Sequence, residues 1–249
     1  MIDIHTHILF GIDDGSKSLE MSLKMAKMAY ESGVDTIVAT PHCMPGMYNN
    51  YAGEKLQNRF DLLKQAIYDY GIPVHLRKGM EVLVTEKIEK LLDENKLWTL
   101  NGTHYLLVEF SFDEDPVFCR DSLKKIKEKG YIPVVAHPCR YYFVQRYPQI
   151  VYDWYQAGYG IQVNKGSILG MFGKKEQNCV HRLLRHRVVS CAASDAHRLD
   201  RRTPRMDEVR DLLYDRYGGE YSYMLLDENP KRILRDRSLV GYDPVSFEE

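Results

Sequence analysis

The chain has 249 residues, 44% of them hydrophobic and 28% charged, and a formal net charge of −1. That length can bury a full core without disulfide support. The near-zero charge excludes a global field that would hold nucleic acid or an anionic membrane. No apolar run is long enough to span a bilayer, and the start, Met1-Ile2-Asp3-Ile4-His5, lacks the basic segment of a secretory leader. Five scattered cysteines (Cys43, Cys119, Cys139, Cys179, Cys191) form no C-x-x-C pair. This is the usage of a reducing compartment, so a cytoplasmic globular protein is expected.

Short β-rich runs alternate with helical patterns along the whole chain. Residues 2–8 form the first strand candidate. In 18–32, Leu19, Leu23, Ala26 and Tyr30 recur at helical spacing before Gly33. Residues 36–40 read as the second strand. Residues 54–70 read as a helix with Leu56, Phe60, Leu63 and Ile67 on one face, stopped by Gly71-Ile72-Pro73. Further strands are expected at 74–78, 105–110, 132–136, 160–163 and 188–192, and helices at 116–129, 149–157, 179–187 and 206–217. Seven strand units with helical connections predict one parallel α/β domain closed into a barrel, with a doubly wound open sheet as the alternative. The polar stretch 235–249 is expected to lie loosely on the surface.

In a parallel barrel, function gathers where strands end, and polar residues recur there. His5 and His7, separated by one residue, share a face of the first strand. The second strand runs into Ala39-Thr40-Pro41-His42 and the third into Gly79-Met80-Glu81. The fourth ends Val108-Glu109-Phe110, the fifth Ala136-His137-Pro138, and the last Ser194-Asp195-Ala196-His197. Asp13-Asp14-Gly15 follows the first strand as a loop. Taken singly, each reads more simply as a hydrogen-bonded polar group, because His-x-His alone is a weak motif. Taken jointly they need a common partner. Glu109 and Asp195 follow runs that read as buried, where an unpaired carboxylate is costly. Mixed imidazole and carboxylate donors suit zinc, manganese or iron better than calcium, and they are too many for one ion. Two or three divalent ions are expected. His75, His104, His181 and His186 fall away from strand ends and read as structural or solvent-facing.

Such a site activates water and stabilises both attacking and leaving oxygens, the chemistry of phosphoester hydrolysis, with amide hydrolysis as competitor. A phosphate would also need planar cationic donors. Arg140, three residues after His137, is the candidate by spacing; the run Arg198, Arg201, Arg202, Arg205 reads mostly as solvated surface. Cys179-x5-Arg185 fits the letters of a cysteine-phosphatase loop, but its bulky, helically spaced interior makes Cys179 a helix residue. The segment 166–175 has glycines and a Gly-Lys pair without P-loop spacing, and reads as a flexible loop over the site. No G-x-S-x-G elbow occurs.

Together, Met1-Ile2-Asp3-Ile4-His5-Thr6-His7-Ile8, Asp13-Asp14-Gly15, Thr40-Pro41-His42, Gly79-Met80-Glu81, Val108-Glu109-Phe110, Ala136-His137-Pro138 and Ser194-Asp195-Ala196-His197 resemble the PHP (polymerase and histidinol phosphatase) family. The closest branch is that of bacterial manganese-dependent protein-tyrosine phosphatases linked to capsule and exopolysaccharide synthesis. The likeness extends over nearly the whole chain, through Gly166-Ser167, Gly170-Met171-Phe172-Gly173 and Glu228-Asn229-Pro230. It implies a distorted TIM-like (β/α)7 barrel with three divalent ions, manganese first and iron, zinc or cobalt as alternatives. The implied ligands are His5, His7, Asp14, His42, Glu81, Glu109, His137, Asp195 and His197, with Glu81 bridging. Arg140 and Arg202 are implied as phosphate holders, and His42 or His197 as a proton source. The implied substrate is phosphotyrosine on a protein, a bacterial tyrosine kinase of capsule synthesis; hydrolysis of histidinol phosphate or another small phosphate is the alternative. A nuclease is disfavoured by the neutral charge, and a catalytically silent binding module by the complete ligand set. Cys139 departs from the branch, which has Glu between Pro and Arg, and so removes an acceptor near Arg140.

Overall fold

The computed structural model describes residues 1–247; the last two residues of the tail lie outside it. Among the described residues, strands pair in parallel throughout. A three-stranded sheet holds β1 (Ile2–Thr6), β2 (Thr36–Ala39) and β4 (His75–Lys78). A six-stranded sheet runs β3 (His42–Cys43), β5 (Glu81–Leu83), β6 (Tyr105–Glu109), β7 (Ile132–Ala136), β8 (Gly160–Asn164), β9 (Cys191–Ala193). Two chain segments run through both sheets: β3 follows β2 after Thr40-Pro41, and β5 follows β4 after Gly79-Met80. The Glu81 amide still reaches the Pro41 carbonyl at 3.1 Å across that break. At the other edge, Asp195 N donates to His5 O and His7 N to Ala196 O, both at 2.9 Å, tying the end of β9 to β1.

The strands are buried on both faces, which explains their unbroken runs of Val, Ile and Leu. Odd-numbered Tyr105 and Leu107 on β6 and even-numbered Val134 and Ala136 on β7 join Ile4, Val38, Cys191 and Ala193 in an inner apolar cluster. Leu106, Val108, Val135 and Ile161 face the larger cluster beneath the helices. One irregularity matters for function. The β1–β2 register shifts between Asp3 and Thr6. Such a shift inserts an extra residue, so Ile4 packs inward and yet His5 and His7 also turn inward at the strand's end.

The helices follow the expected caps. In α1 (Leu19–Glu31) the Ser18 hydroxyl accepts from Met21 N at 3.2 Å, and Gly33 beyond it takes φ 94°. Pro116 opens α4 (Pro116–Glu128), capped by Asp115, and Lys125 and Lys127 lie in its last turn. Helix α2 (Glu54–Asp69), α6 (Gln149–Gln156) and α9 (Asp207–Tyr217) agree with the sequence to within a residue at each end. Two expectations are corrected. The expected loop at 166–175 is a loop only over residues 169–173; before it lies a helical turn, α7 (Lys165–Ile168), and after it the start of α8 (Lys174–Arg185), which begins five residues before Cys179. Buried Ile168 and the Ser167–Glu176 hydrogen bond pin it down. The stretch 235–247 carries no helix or strand, but it is not loose. Asp236 meets His104 at 2.6 Å, Val240 exchanges two hydrogen bonds with Asn229, and Phe247 stacks on His186 at 3.8 Å. Helices α3 (Ile88–Asp93), α5 (Tyr142–Arg146), α10 (Gly219–Tyr223) and α11 (Asn229–Ile233), with a π-helical turn Met224–Glu228, were not anticipated.

Candidate metal and phosphate site

One end of the sheets, where β1, β2, β4, β6, β7 and β9 finish and β3 and β5 begin, brings all nine expected donor residues to one place. His5 comes from β1, His42 from β3, Glu81 from β5 and Glu109 from β6; the others follow directly on strands or, like Asp14, on the loop after β1. Glu81 is the centre. Its Oε2 lies 3.2 Å from His5 Nε2, 3.1 Å from His7 Nε2 and 2.9 Å from His42 Nδ1, while its Oε1 bonds His137 Nε2 at 2.8 Å. Glu109 Oε1 stands 3.1 Å from His42 Nδ1. Asp195 Oδ1 is 3.4 Å from His7 and 3.6 Å from both His5 and His197. Asp14 Oδ1 faces His42 Nε2 at 3.5 Å and His197 Nε2 at 3.4 Å.

Apart from the Glu81–His137 bond and the His5–His7 contact at 3.3 Å, many of these atoms approach without bonding one another. Asp14 Oδ1, His42 Nδ1, Glu81 Oε2, Glu109 Oε1, Asp195 Oδ1 and His197 Nε2 are buried yet have no hydrogen-bond partner, even where the separation is 2.9 Å. Lone pairs aimed at common points and not at donors are the arrangement a cation requires, since an unsatisfied buried polar atom otherwise costs about 1–3 kcal/mol. Three groups of donors lie within 4.8 Å: His7, Asp14, His42 and His197; His5, His7 and Glu81; His42, Glu81 and Glu109. His7, His42 and Glu81 are each shared between two groups. The residues therefore fit more than one divalent ion.

Electrostatics point the same way. Burial disfavours charge on Glu81 and Asp195, yet the His5 ring and its neighbours hold both carboxyls well below the ordinary range. Burial also opposes charge on His42, but Glu81 and Glu109 together outweigh it and push the ring up to about 10. His197, buried and beside the His7 ring, is pushed down to about 4. The cluster keeps its negative charge and demands positive charge, supplied by protons or by metal.

Several residues that the sequence alone did not single out orient these donors. Asp13 accepts from His7 Nδ1 and from the His42 amide, each at 2.9 Å, so the other Asp of the pair builds the loop while Asp14 faces inward. Gln162 Oε1 meets His5 Nδ1 at 3.0 Å, leaving Nε2 to the cluster. Asn164 links Gln162 (2.9 Å) to Asp195 Oδ2 (2.6 Å). Both lie on the inner face of β8, where two polar residues alternating in an apolar strand were the available signal. Buried Lys165, pushed down to about 8 by burial, donates to the Thr203 and Arg205 carbonyls and so holds the loop that carries Arg202. His137, Asp195 and Arg202 hold left-handed backbone, φ 36°, 50° and 49°, a strain concentrated at the site.

Arg202 bonds Asp195 Oδ2 at 2.6 Å and Arg140 lies 3.9 Å from the same oxygen. Their side chains are 27% and 22% exposed, and Asp14 is 46% exposed, so these three form the solvent-facing edge of an otherwise closed cluster. Arg140 rests on the Phe112 ring at 4.3 Å and near Phe172 at 5.5 Å. Phe172 in turn packs on Gly166, where any side chain would collide with it. Cys139 is buried against Cys179, and a different buried carboxylate, Glu176, bonded to Ser167, stands in the field of Arg140. Cys179 is buried on α8 with its thiol toward the Val144 carbonyl, away from any phosphate cradle.

Known proteins share this architecture. The chain is 35% identical over 244 residues to the tyrosine-protein phosphatase YwqE of Bacillus subtilis (strain 168), covering 98% of this chain and 95% of YwqE. It is 31% identical over 242 residues to the tyrosine-protein phosphatase CpsB of Streptococcus pneumoniae, covering 95% of this chain and 99% of CpsB. With 34% identity and a TM-score of 0.92, it superposes over the full length of both chains on a structure from the YwqE and CpsB crystal study, whose proteins are described as unique metal-dependent tyrosine phosphatases. The family model for capsular polysaccharide synthesis, CpsB/CapC, matches residues 1–235, and the chain belongs to that family.

Proposed function

We propose that this chain is a metal-dependent protein-tyrosine phosphatase, and that the cluster around Glu81 is its active site. The observation that carries the reading is the set of buried, unbonded donor atoms converging at the strand ends. The activities of YwqE and CpsB support it. We infer three ions, because three overlapping donor groups share His7, His42 and Glu81, and manganese first, on the family resemblance. The β1–β9 hydrogen bonds support a barrel in which β2/β3 and β4/β5 each count as one stave, seven in all.

Bound divalent ions would supply an activated water and neutralise charge on phosphoryl oxygens. The chain's own residues do the rest. Arg140 and Arg202 offer planar donors at the open edge and orient the phosphoryl group there. Asp13 and Gln162 fix the His7 and His5 rings so that each Nε2 faces inward. His42 and His197 serve as donors to metal, since each has both ring nitrogens facing carboxylate or carbonyl oxygens within the cluster. A tyrosyl oxygen, whose phenol has a pKa of about 10, leaves without needing a dedicated acid. The protein substrate we favour is a tyrosine kinase of capsule synthesis in the cytoplasm. The buried free cysteines fit that compartment, and no helix among the described residues is long and apolar enough to cross a membrane. The test compares a phosphotyrosyl peptide with histidinol phosphate at equal concentration, with manganese and with chelator. Manganese-dependent turnover favouring the peptide is expected; activity that survives exhaustive chelation would falsify the mechanism.

A further inference from the structure

Beside the phosphate edge lies a groove of about 840 Å³ that no step of the chemistry uses. It begins next to Arg140. The Phe112 ring supports that guanidinium, the Phe112 carbonyl accepts from Tyr142 N at 2.8 Å, and Asp113 and Tyr142 are the first residues of the groove wall. Helix α5 contributes Tyr142 and Arg146, with Tyr147 just beyond it. Helix α8 contributes Lys175, Asn178, Cys179 and Arg182, which at spacings of three and four share one face. Tyr142 and Tyr147 are 62% and 50% exposed although they are large aromatic side chains. Exposed aromatics beside cations in a concave strip are the composition of a recognition surface, not of ordinary solvated surface.

We propose that this groove binds the polypeptide on either side of the phosphotyrosine, with Arg146, Lys175 and Arg182 taking acidic side chains and Tyr142 and Tyr147 taking an apolar one. The proposal rests on the tyrosine-phosphatase reading and adds the sequence context of its substrate. Three observations favour a peptide over a small molecule. The groove lies outside the metal cluster, it starts two residues from a phosphate-holding arginine, and its length follows two helices. A phosphorylated tyrosine within a protein has main chain on both sides that must leave the site along the surface. Arg146, Lys175 and Arg182 outnumber the two carboxylates of the lining, Asp113 and Glu114, and favour an acidic segment along the helical walls.

The test uses the full-length, manganese-loaded protein with p-nitrophenyl phosphate, a phosphotyrosyl peptide flanked by Asp and Glu, and the same peptide with neutral flanks. Arg146→Glu, Lys175→Glu and Tyr147→Ala each change only the exposed groove. For the acidic peptide, KM is expected to rise about tenfold for each lost charge contact. The neutral peptide should change less, and p-nitrophenyl phosphate kinetics should stay as in the wild type. Acidic-peptide kinetics that do not move, or a parallel loss on all three substrates, overturn the groove assignment. Wild-type turnover of p-nitrophenyl phosphate with none of either peptide overturns the tyrosine-phosphatase reading itself, and the groove with it.

Discussion

Glu81 and Arg140 serve different halves of the chemistry, and single substitutions separate them. Glu81 Oε2 is within 3.2 Å of three imidazoles and is shared by two donor groups. Glu81→Gln keeps the shape but removes the charge that draws cations, so elemental analysis should show lost metal and turnover should fall to background. Retention of full metal content in that variant would contradict its central place. Arg140 is held by aromatic stacking and touches no donor atom closer than 3.9 Å. Arg140→Ala should therefore keep its metal while inhibition by inorganic phosphate weakens by roughly ten- to a hundredfold, the worth of a lost charge-assisted hydrogen bond. Both residues were legible in the sequence because they sit three and four positions past the ends of β4 and β7. Gln162 and Asp13 were not picked out, because what they do depends on which nitrogen of a distant or neighbouring ring they meet.

Among the elements, the loop after β1 is the most constrained. A Cβ on Gly15 would collide with the His7 carbonyl oxygen and side chain, and the Ser16 amide binds that same carbonyl at 3.0 Å. Gly15→Ala must push the loop outward, moving Asp13 off His7 and Asp14 off the cluster. Circular dichroism should still report a folded protein, while metal affinity drops about ten- to a hundredfold, as when an orienting partner is lost. Wild-type affinity in a folded Gly15→Ala protein would refute that tight fit. Strong apolar periodicity made α1, α2, α4, α6 and α9 readable. The turns α5 and α7 and the first five residues of α8 were not, because short helices rich in Lys, Gly or Tyr gain their stability from tertiary contacts such as Ser167–Glu176 and not from local pattern.

For the molecule as a whole, protons and metal compete for one cluster, which fixes the sign of its pH dependence. In the metal-free protein His42 is raised from 6.5 to about 10. That proton stabilises the fold fully below about 6.5 and the stabilisation is lost as pH climbs toward 10. Metal ligation requires the deprotonated ring, so metal affinity moves oppositely and strengthens as pH rises. The gap in Tm between manganese-loaded and chelated protein should consequently widen from pH 6 to pH 9. At metal a hundredfold over Kd the stabilisation is about 2.7 kcal/mol, or roughly 5–10 °C for a chain of this size. A gap that is constant or narrows with pH would mean that ring protons and metal do not share the site.

The succession of strands and the recurrence of His, Asp and Glu at their ends belong to the sequence itself, since apolar runs ending in such residues are local signals that survive without coordinates, while the full set of nine candidate donors came from the family resemblance. Only the tertiary structure decided how they meet. The register shift in β1 turns His5 and His7 to the same interior as Ile4, which strict alternation from the apolar residues would not allow. The split of β2/β3 and β4/β5 around Pro41 and Gly79 sets His42 and Glu81 side by side as a pair within the six-stranded sheet. Such choices depend on hydrogen bonds between segments tens to nearly two hundred residues apart, and no window of local sequence encodes them.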